Sequence, residues 1–238
     1  MRRFAAAILL LALTATPGAQ AQSVRLGESS IRRAYPNPSA VIAAEMALTR
    51  NAREKGQWVA LRESAAPDAV MLVPGLPLAQ AWLKRQTEPA TSARWQPYAV
   101  ASSCDGTVMV VTGTWSAVDG RGEYASVWQR QEKGDYKWLI RASTSEADPP
   151  AEPDMLAARV ADCALAVRPP RPPAIEKRKG QSPAVSLDPN GRDGRSRDGT
   201  LFWRVRLTPE GRREFSFDMA QDGQMKAVVT VRDASSLR

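Results

Sequence analysis

The first regular pattern in the chain is an apolar stripe with helical spacing that starts near residue 39. Ser39 is its predicted N-cap, and Gly56 is predicted to end it in a left-handed conformation. The stripe consists of Val41, Glu45, Leu48 and Ala52. Two shorter helices are predicted over residues 57–64 and 78–85, with a brief buried strand, DAVMLVPG, between them. The first part of the domain is therefore predicted to be mainly helical.

From Arg94 onward the apolar positions alternate with a period of two. This spacing predicts four strands, over residues 95–104, 107–118, 123–131 and 136–144. Turn residues separate them at 105–106, 119–122 and 132–135, so the strands are predicted to form an antiparallel meander. Aromatic residues recur along the strands, and cross-strand packing of about 0.2–1 kcal/mol per pair explains most of them without a ligand.

Strict alternation also predicts which residues share a face of the sheet. On the third strand one face carries Tyr124, Ser126, Trp128 and Arg130. On the fourth strand one face carries Tyr136, Trp138, Ile140 and Ala142, and the other carries Lys137, Leu139, Arg141 and Ser143. The arginines and lysines are then expected on the solvated face or at the strand ends.

The composition changes after residue 146. Residues 147–167 read as a Pro-rich hinge followed by a short helix or strand, and residues 168–199 as a disordered basic linker. Residues 200–232 alternate again and predict a three-stranded β meander with one apolar face, which either packs on the main domain or forms a weak separate unit. The pattern shows no internal repeat.

The N-terminus has the features of an export signal. Met1-Arg2-Arg3 precedes an apolar run, and Ala19-Gln20-Ala21 is a typical cleavage site, so residues 1–21 are predicted to be a signal peptide. Residues 22–38 are a predicted flexible lead-in. The apolar run is too short to span a bilayer, and Gln22 after the cleavage site excludes a lipid anchor there. The protein is therefore predicted to be periplasmic or secreted after cleavage near Ala21.

The composition excludes several kinds of chemistry. The chain contains no histidine, which removes Ser-His-Asp and Cys-His nucleophile systems and His-ligated zinc. No glycine pattern indicates a nucleotide cofactor, and the aspartates near glycines do not have EF-hand spacing, so neither a cofactor nor a metal is predicted. The two cysteines, Cys104 and Cys163, form either a disulfide or free thiols. An exported chain favours the disulfide, worth roughly 3–4 kcal/mol.

The net charge is +8, or +6 once Arg2 and Arg3 are removed. The basic excess is concentrated at Lys177-Arg178-Lys179 and at Arg192, Arg195 and Arg197. This run is either a solvated connector or a site for anionic surface polymers. Nucleic acid is not predicted as a partner, because no aromatic residues are interleaved with these charges to stack on bases.

Residues 39–144 resemble the nuclear transport factor 2-like superfamily, in its SnoaL-like exported bacterial branch. The similarity is carried by the order of the elements and by two stretches, VIAAEMALTRNAREKGQWVALRESAAPDAVMLVPG and TGTWSAVDGRGEYASVWQRQEKGDYKWLIRAS. The resemblance implies an α+β fold in which a curved antiparallel sheet wraps around the N-terminal helices to form a cone with an apolar pocket. It also implies a homodimer that pairs through the open face of the sheet.

The resemblance does not transfer a catalytic set. Val73 stands where isomerase relatives have an aspartate as general base, and Arg141 stands where many exported relatives have an acidic residue. Glu45 and Tyr124 are the remaining weak catalytic candidates. Glu45 is either a buried acid or base with a raised pKa or a structural carboxylate bonded to a strand or an arginine. Tyr124 is either a donor to a ligand or an ordinary sheet residue.

Three functions follow as expectations. The first is an exported, non-catalytic protein that binds a small apolar ligand or a protein partner. Its predicted pocket residues are Trp82, Trp115, Trp128 and Trp138, with Trp95 beside them as a further aromatic residue. The second is a small-molecule isomerase or hydrolase that uses Glu45 and Tyr124. The third is an envelope interaction protein that binds anionic polymers through the basic linker.

Overall fold

The computed structural model describes residues 36–145, 153–166, 188, 190–210 and 212–232. The predicted signal peptide, most of the predicted lead-in and the greater part of the predicted basic linker lie outside these residues.

Three helices open the domain: α1 (Pro38–Lys55), α2 (Gln57–Ser64) and α3 (Ala79–Leu83). The N-cap of α1 is Asn37 rather than the predicted Ser39, because Pro38 occupies the first helical turn, where its missing N–H is tolerated. The buried face of α1 is the predicted stripe, Val41, Glu45, Leu48 and Ala52. Gly56 ends the helix with φ of 104°, as the sequence predicts.

The predicted strand DAVMLVPG is wrong. This segment folds back on itself and forms only one isolated bridge, between Val70 and Leu78. The amide of Val70 donates to the Leu139 carbonyl, and Leu76 has a positive φ of 41° in the reversal that follows Pro74-Gly75. The apolar run is buried, as a core strand would be, but the chain reverses before a ladder can form.

Five strands form the first sheet: β1 (Arg94–Ser102), β2 (Val108–Ala117), β3 (Gly120–Arg130), β4 (Tyr136–Ser143) and β5 (Ala157–Val160). Their order is β4-β3-β2-β1-β5, and the first four are the predicted antiparallel meander. Strand β5 runs parallel to β1, so the sheet is mixed. A 3-10 turn over Cys163–Leu165 follows β5. Helix α1 lies against one face of this sheet, which gives the predicted α+β class.

A second sheet is built from β6 (Gly191–Arg195), β7 (Leu201–Leu207), β8 (Arg213–Gln221) and β9 (Gln224–Arg232), in the order β6-β7-β8-β9. It has four strands rather than the predicted three, because β6 lies within the segment predicted to be a disordered linker. The sequence of β6, GRDGR, has no apolar alternation, so only its main-chain pairing with β7 defines it as a strand.

The second sheet covers the face of the first sheet that is opposite α1. One ladder across this face, formed by Ala101, Val110, Val127 and Ile140, is fully or almost fully buried. It shares one contiguous core with the apolar face of the second sheet, formed by Leu201, Trp203, Val205, Phe215, Phe217 and Met219. The homodimer expected through this sheet face stays a prediction, and the burial of this ladder within one chain argues against it.

Two hairpin turns with the same sequence pattern join the sheets. They are Ser-Cys-Asp-Gly-Thr at residues 103–107 and Ser-Arg-Asp-Gly-Thr at residues 196–200, which we call the paired turns. In each turn one aspartate oxygen accepts from the serine hydroxyl and from the amide and hydroxyl of the threonine. Each glycine has a positive φ, of 66° and 71°. This five-residue repeat is defined by serine, aspartate, glycine and threonine, so the pattern of apolar positions does not reveal it.

The paired turns bind each other reciprocally. The Cys104 amide donates to Thr200 Oγ1 at 2.9 Å, and the Arg197 amide donates to Thr107 Oγ1 at 3.1 Å. Cys104 also forms the predicted disulfide with Cys163, with Cα atoms 5.3 Å apart. The disulfide therefore fixes the segment after β5 close to the junction of the two sheets.

Candidate functional site

A buried carboxylate lies between α1 and the first sheet. Glu45 is completely buried, and its Oε1 accepts hydrogen bonds from the Ser126 hydroxyl, from Trp128 Nε1 at 2.8 Å and from Arg141 Nη1 at 2.9 Å. Arg141 is only 4% exposed, so the two residues form a buried ion pair. Glu45 therefore has the structural arrangement, bonded to both a strand and an arginine, that the sequence left as one of two alternatives.

The helix stripe and the strand register bring these residues together. Glu45 lies in the middle of the buried face of α1. Ser126 on β3 pairs directly with Arg141 on β4, and Trp128 follows two residues later on the same face of β3. The carboxylate can thus reach three donors from two adjacent strands.

A β-bulge places Arg141 on the helix side of the sheet. The register of β3 and β4 shifts between Val127 and Trp128, so that Val127 pairs with Ile140 and Trp128 pairs with Trp138. Leu139 is the extra residue, and alternation is interrupted there. Trp138 and Arg141 therefore share a face, whereas strict alternation predicts opposite faces and a solvated arginine. That prediction is wrong for this reason.

Two aromatic rings flank the Arg141 guanidinium. Its central carbon lies 5.5 Å from the centroid of the Trp95 ring and 5.1 Å from that of the Tyr124 ring. Both rings are buried, and cation–π contacts of this kind are strongest where water is excluded. The guanidinium is thus held by a carboxylate at one nitrogen and by aromatic rings beside it.

Gly113 makes room for the Tyr124 ring. The two residues are cross-strand partners on β2 and β3. A Cβ atom at position 113 would lie 2.5 Å from Tyr124 Cε1 and 2.3 Å from the Gln96 carbonyl oxygen. Only glycine therefore lets the phenol ring lie across the neighbouring strand, next to Arg141.

Five buried polar atoms of this region have no partner that meets both the distance and the angle of a hydrogen bond among the described residues. They are Glu45 Oε2, Trp95 Nε1, the Tyr124 hydroxyl, Arg141 Nε and Arg141 Nη2. We call the six residues Glu45, Trp95, Tyr124, Ser126, Trp128 and Arg141 the interior polar cluster. Buried polar groups in proteins are almost always paired with protein atoms, ordered water or a ligand, so these five atoms are candidates to bind one of the latter two.

Tyr124 is a protonated hydrogen-bond donor in this setting. Burial raises the pKa of its phenol well above the ordinary value of 10.0, and the negative charge of Glu45 raises it further. Arg141 lowers this pKa in part, through its positive charge and through a hydrogen-bonding contact with the phenol. A phenol with such a pKa keeps its proton at neutral pH. Tyr124 can therefore donate to a ligand but cannot act as a general base.

The other predicted pocket tryptophans have their indole N–H groups bound to the protein. Trp115 Nε1 donates to the Thr144 carbonyl at 2.8 Å, and Trp138 Nε1 donates to the Leu61 carbonyl at 2.9 Å. Trp82 is half-buried and packs edge-on against Trp58, with centroids 6.0 Å apart. Trp128 is the one member of the predicted four that lies in the interior polar cluster.

Sequence reasoning did not select Arg141 or Ser126 as site residues. Both residues could be found from the register that pairs Ser126 with Arg141 across the third and fourth strands. That register depends on the bulge at Leu139, and no sequence pattern marks the bulge. Val73, at the position of the isomerase base, is a half-buried residue of the reversal after α2 and packs against the core.

Part of the basic segment has structural partners. Arg192 donates through Nη1 to the Asp68 carbonyl, and its Nη2 lies 2.6 Å from Asp68 Oδ2. Arg206 forms an exposed ion pair with Asp193. Lys177, Arg178 and Lys179 lie outside the described residues. Within the part of the chain that is described, no group of three or more acidic, histidine or cysteine residues is positioned to hold a metal, and no helix is long and apolar enough to cross a membrane.

Solved structures similar to about half of the chain are known. One is provisionally described as a ketosteroid isomerase from Parabacteroides distasonis, with 18% identity over 48% of this chain and 97% of that chain and a TM-score of 0.35. Another is provisionally described as an aromatic ring hydroxylase from Novosphingobium aromaticivorans, with 13% identity over 47% of this chain and 90% of that chain and a TM-score of 0.34. No protein-family model and no curated protein matches the chain.

Proposed function

We propose that this chain is an exported protein that binds a small molecule between α1 and the first sheet, without catalysing a reaction on it. The observation that carries this proposal is the set of five unpaired polar atoms in the interior polar cluster. Leaving a buried polar group unpaired costs about 1–3 kcal/mol, so a ligand that pairs several of them gains that energy on binding.

The surroundings of the cluster suit an apolar ligand body. Val111 and Met109 follow one another on the helix-facing side of β2, and Leu48 lies one turn along α1 from Glu45. All three side chains are buried. We infer that these side chains would contact the apolar part of a ligand, since small-molecule sites usually combine apolar walls with a few polar groups.

The chemistry of the cluster favours binding over catalysis. Glu45 Oε1 already accepts three hydrogen bonds, and Tyr124 is a donor that keeps its proton. A general acid or base needs a group that exchanges protons near the working pH. The assignment of residues 39–144 to a nuclear transport factor 2-like domain is part of the same proposal, and ligand binding without catalysis is compatible with that fold.

Export is supported by the covalent structure. A disulfide such as Cys104–Cys163 forms and persists mainly where the environment is oxidising, as in the periplasm or outside the cell. The signal-like N-terminus points to the same compartments.

Native mass spectrometry of the full chain, purified without denaturation, tests the proposal. We expect a bound small molecule, and we expect it to be lost in Arg141→Met. Arg212→Met is the matched control, because Arg212 is exposed and pairs only with the exposed Glu210 among the described residues. A chain that carries no adduct and whose melting temperature no apolar compound raises would refute the proposal. Turnover of a bound compound would instead establish the enzyme alternative.

A further inference from the structure

The unpaired edge of the Arg141 guanidinium, formed by Nε and Nη2, is suited to one kind of ligand group. Nη1 is bonded to Glu45, whereas Nε and Nη2 have no partner in the described part of the chain. The N–H groups of Nε and Nη2 lie on the same side of the planar guanidinium and point in parallel. This edge matches the two oxygens of a carboxylate, which it binds with two parallel hydrogen bonds.

The remaining unpaired atoms of the cluster are mostly donors. Trp95 Nε1 can only donate, and the Tyr124 hydroxyl carries a proton that it can donate. Both rings contact the same guanidinium. The cluster therefore has four unpaired donor atoms against one unpaired acceptor atom, Glu45 Oε2. Such a site is complementary to a group rich in acceptor oxygens.

We propose that the ligand is an organic acid, with its carboxylate on the Nε and Nη2 edge of Arg141 and its apolar body between α1 and the first sheet. This inference rests on the proposed function and specifies the ligand class. Glu45 acts as a positioning residue: it occupies Nη1 and thereby leaves the carboxylate-binding edge of the guanidinium unpaired. Trp95 and Tyr124 provide the additional donors.

The test compares matched ligands on the full, disulfide-bonded chain. Decanoate, decanol and methyl decanoate share an alkyl body, and phenylacetate and 2-phenylethanol share an aromatic one. Calorimetric titration should show that at least one acid binds roughly tenfold or more tightly than its alcohol or ester, the loss expected for charged hydrogen bonds. Equal affinities for acids and alcohols would overturn the ligand class while leaving the proposed function intact. Failure of every compound to bind would count against both.

Variants that remove single unpaired atoms keep the test independent of folding. Tyr124→Phe and Trp95→Phe delete a polar atom that has no protein partner among the described residues, so we expect both chains to fold. Each should weaken acid binding by roughly tenfold and alcohol binding by less, so that the preference for the acid over its alcohol falls. Trp115→Phe is the control, since its indole N–H is bonded to a carbonyl outside the cluster. If Trp95→Phe and Tyr124→Phe both bind the acid as the parent chain does, the assignment of these donors is wrong.

Discussion

Asp105 and Asp198 each accept a hydrogen bond from the other's main-chain amide. The Asp105 amide lies 2.7 Å from Asp198 Oδ2, and the Asp198 amide lies 3.1 Å from Asp105 Oδ2. A second equivalent pair of bonds joins the turns, in which the Cys104 amide donates to Thr200 Oγ1 and the Arg197 amide donates to Thr107 Oγ1. The two turns thus pair as equivalent halves, which is the relation of surfaces in a symmetric dimer. Here it joins two sheets of one chain.

The first prediction concerns this junction. Asp198 is 4% exposed and accepts four hydrogen bonds from the described residues, so Asp198→Ala leaves several buried donors without an acceptor. We expect the free energy of unfolding in urea to fall by about 3 kcal/mol. The control Asp154→Ala changes an exposed residue and should have an effect within about 0.5 kcal/mol. Similar effects for the two variants would show that the paired turns contribute little.

The second prediction concerns the buried ion pair. Glu45→Gln removes the charge that balances Arg141, and we expect unfolding to become easier by about 3–5 kcal/mol. Glu63→Gln breaks the exposed pair with Lys55, in which both side chains are 49% exposed, and should cost less than about 1 kcal/mol. Denaturant unfolding of the two variants provides the comparison. A small effect at Glu45 would mean that the carboxylate does not hold Arg141 in place.

The third prediction concerns oligomeric state. On the face of the first sheet opposite α1, the ladder of Ala101, Val110, Val127 and Ile140 is buried within the chain and is therefore not available to a sheet-to-sheet dimer. We expect sedimentation equilibrium of the disulfide-bonded chain to give the mass of one chain. A stable dimer would contradict this expectation if the Ala101 and Val127 amides exchanged hydrogen more slowly in the dimer than in the single chain.

The fourth prediction concerns alkaline pH. Burial raises the pKa of Tyr124 above its ordinary value, so the unfolded chain loses this proton at a lower pH than the folded chain does. The resulting contribution to stability is present below about pH 10 and is lost as the pH rises above that value. Tyr136 also has a pKa raised by burial and adds to the effect. In Tyr124→Phe the free energy of unfolding should therefore decline less steeply between about pH 9 and pH 11. An unchanged slope would contradict the burial of the phenol.

The position of Arg141 shows where a sequence pattern stops predicting a site. Four strands of the first sheet and the stripe containing Glu45 follow from spacing alone. A single extra residue, Leu139, then reverses the faces of the residues that follow it on β4. Because a β-strand has a period of two, one bulge moves a side chain from solvent to core, and the sequence around Leu139 gives no glycine or proline to mark it.

In the second sheet, too, the sequence predicts some features and only the tertiary structure decides others. The alternation of Leu201, Trp203 and Val205 predicts an apolar face that needs a partner, but it leaves open whether the partner is the same chain. Strand β6 is polar, and its place depends on hydrogen bonds to β7 and on the paired turns.

By itself, the sequence determined the helical stripe and the two meanders, because these depend on local periodicity and turn residues. It favoured the pairing of Cys104 with Cys163, because the chain has two cysteines and a predicted export signal. The tertiary structure alone decided that the second sheet covers the first and that Arg141 meets Glu45. Both outcomes depend on contacts between residues far apart in the chain, whose geometry is set by strand register and packing rather than by local spacing.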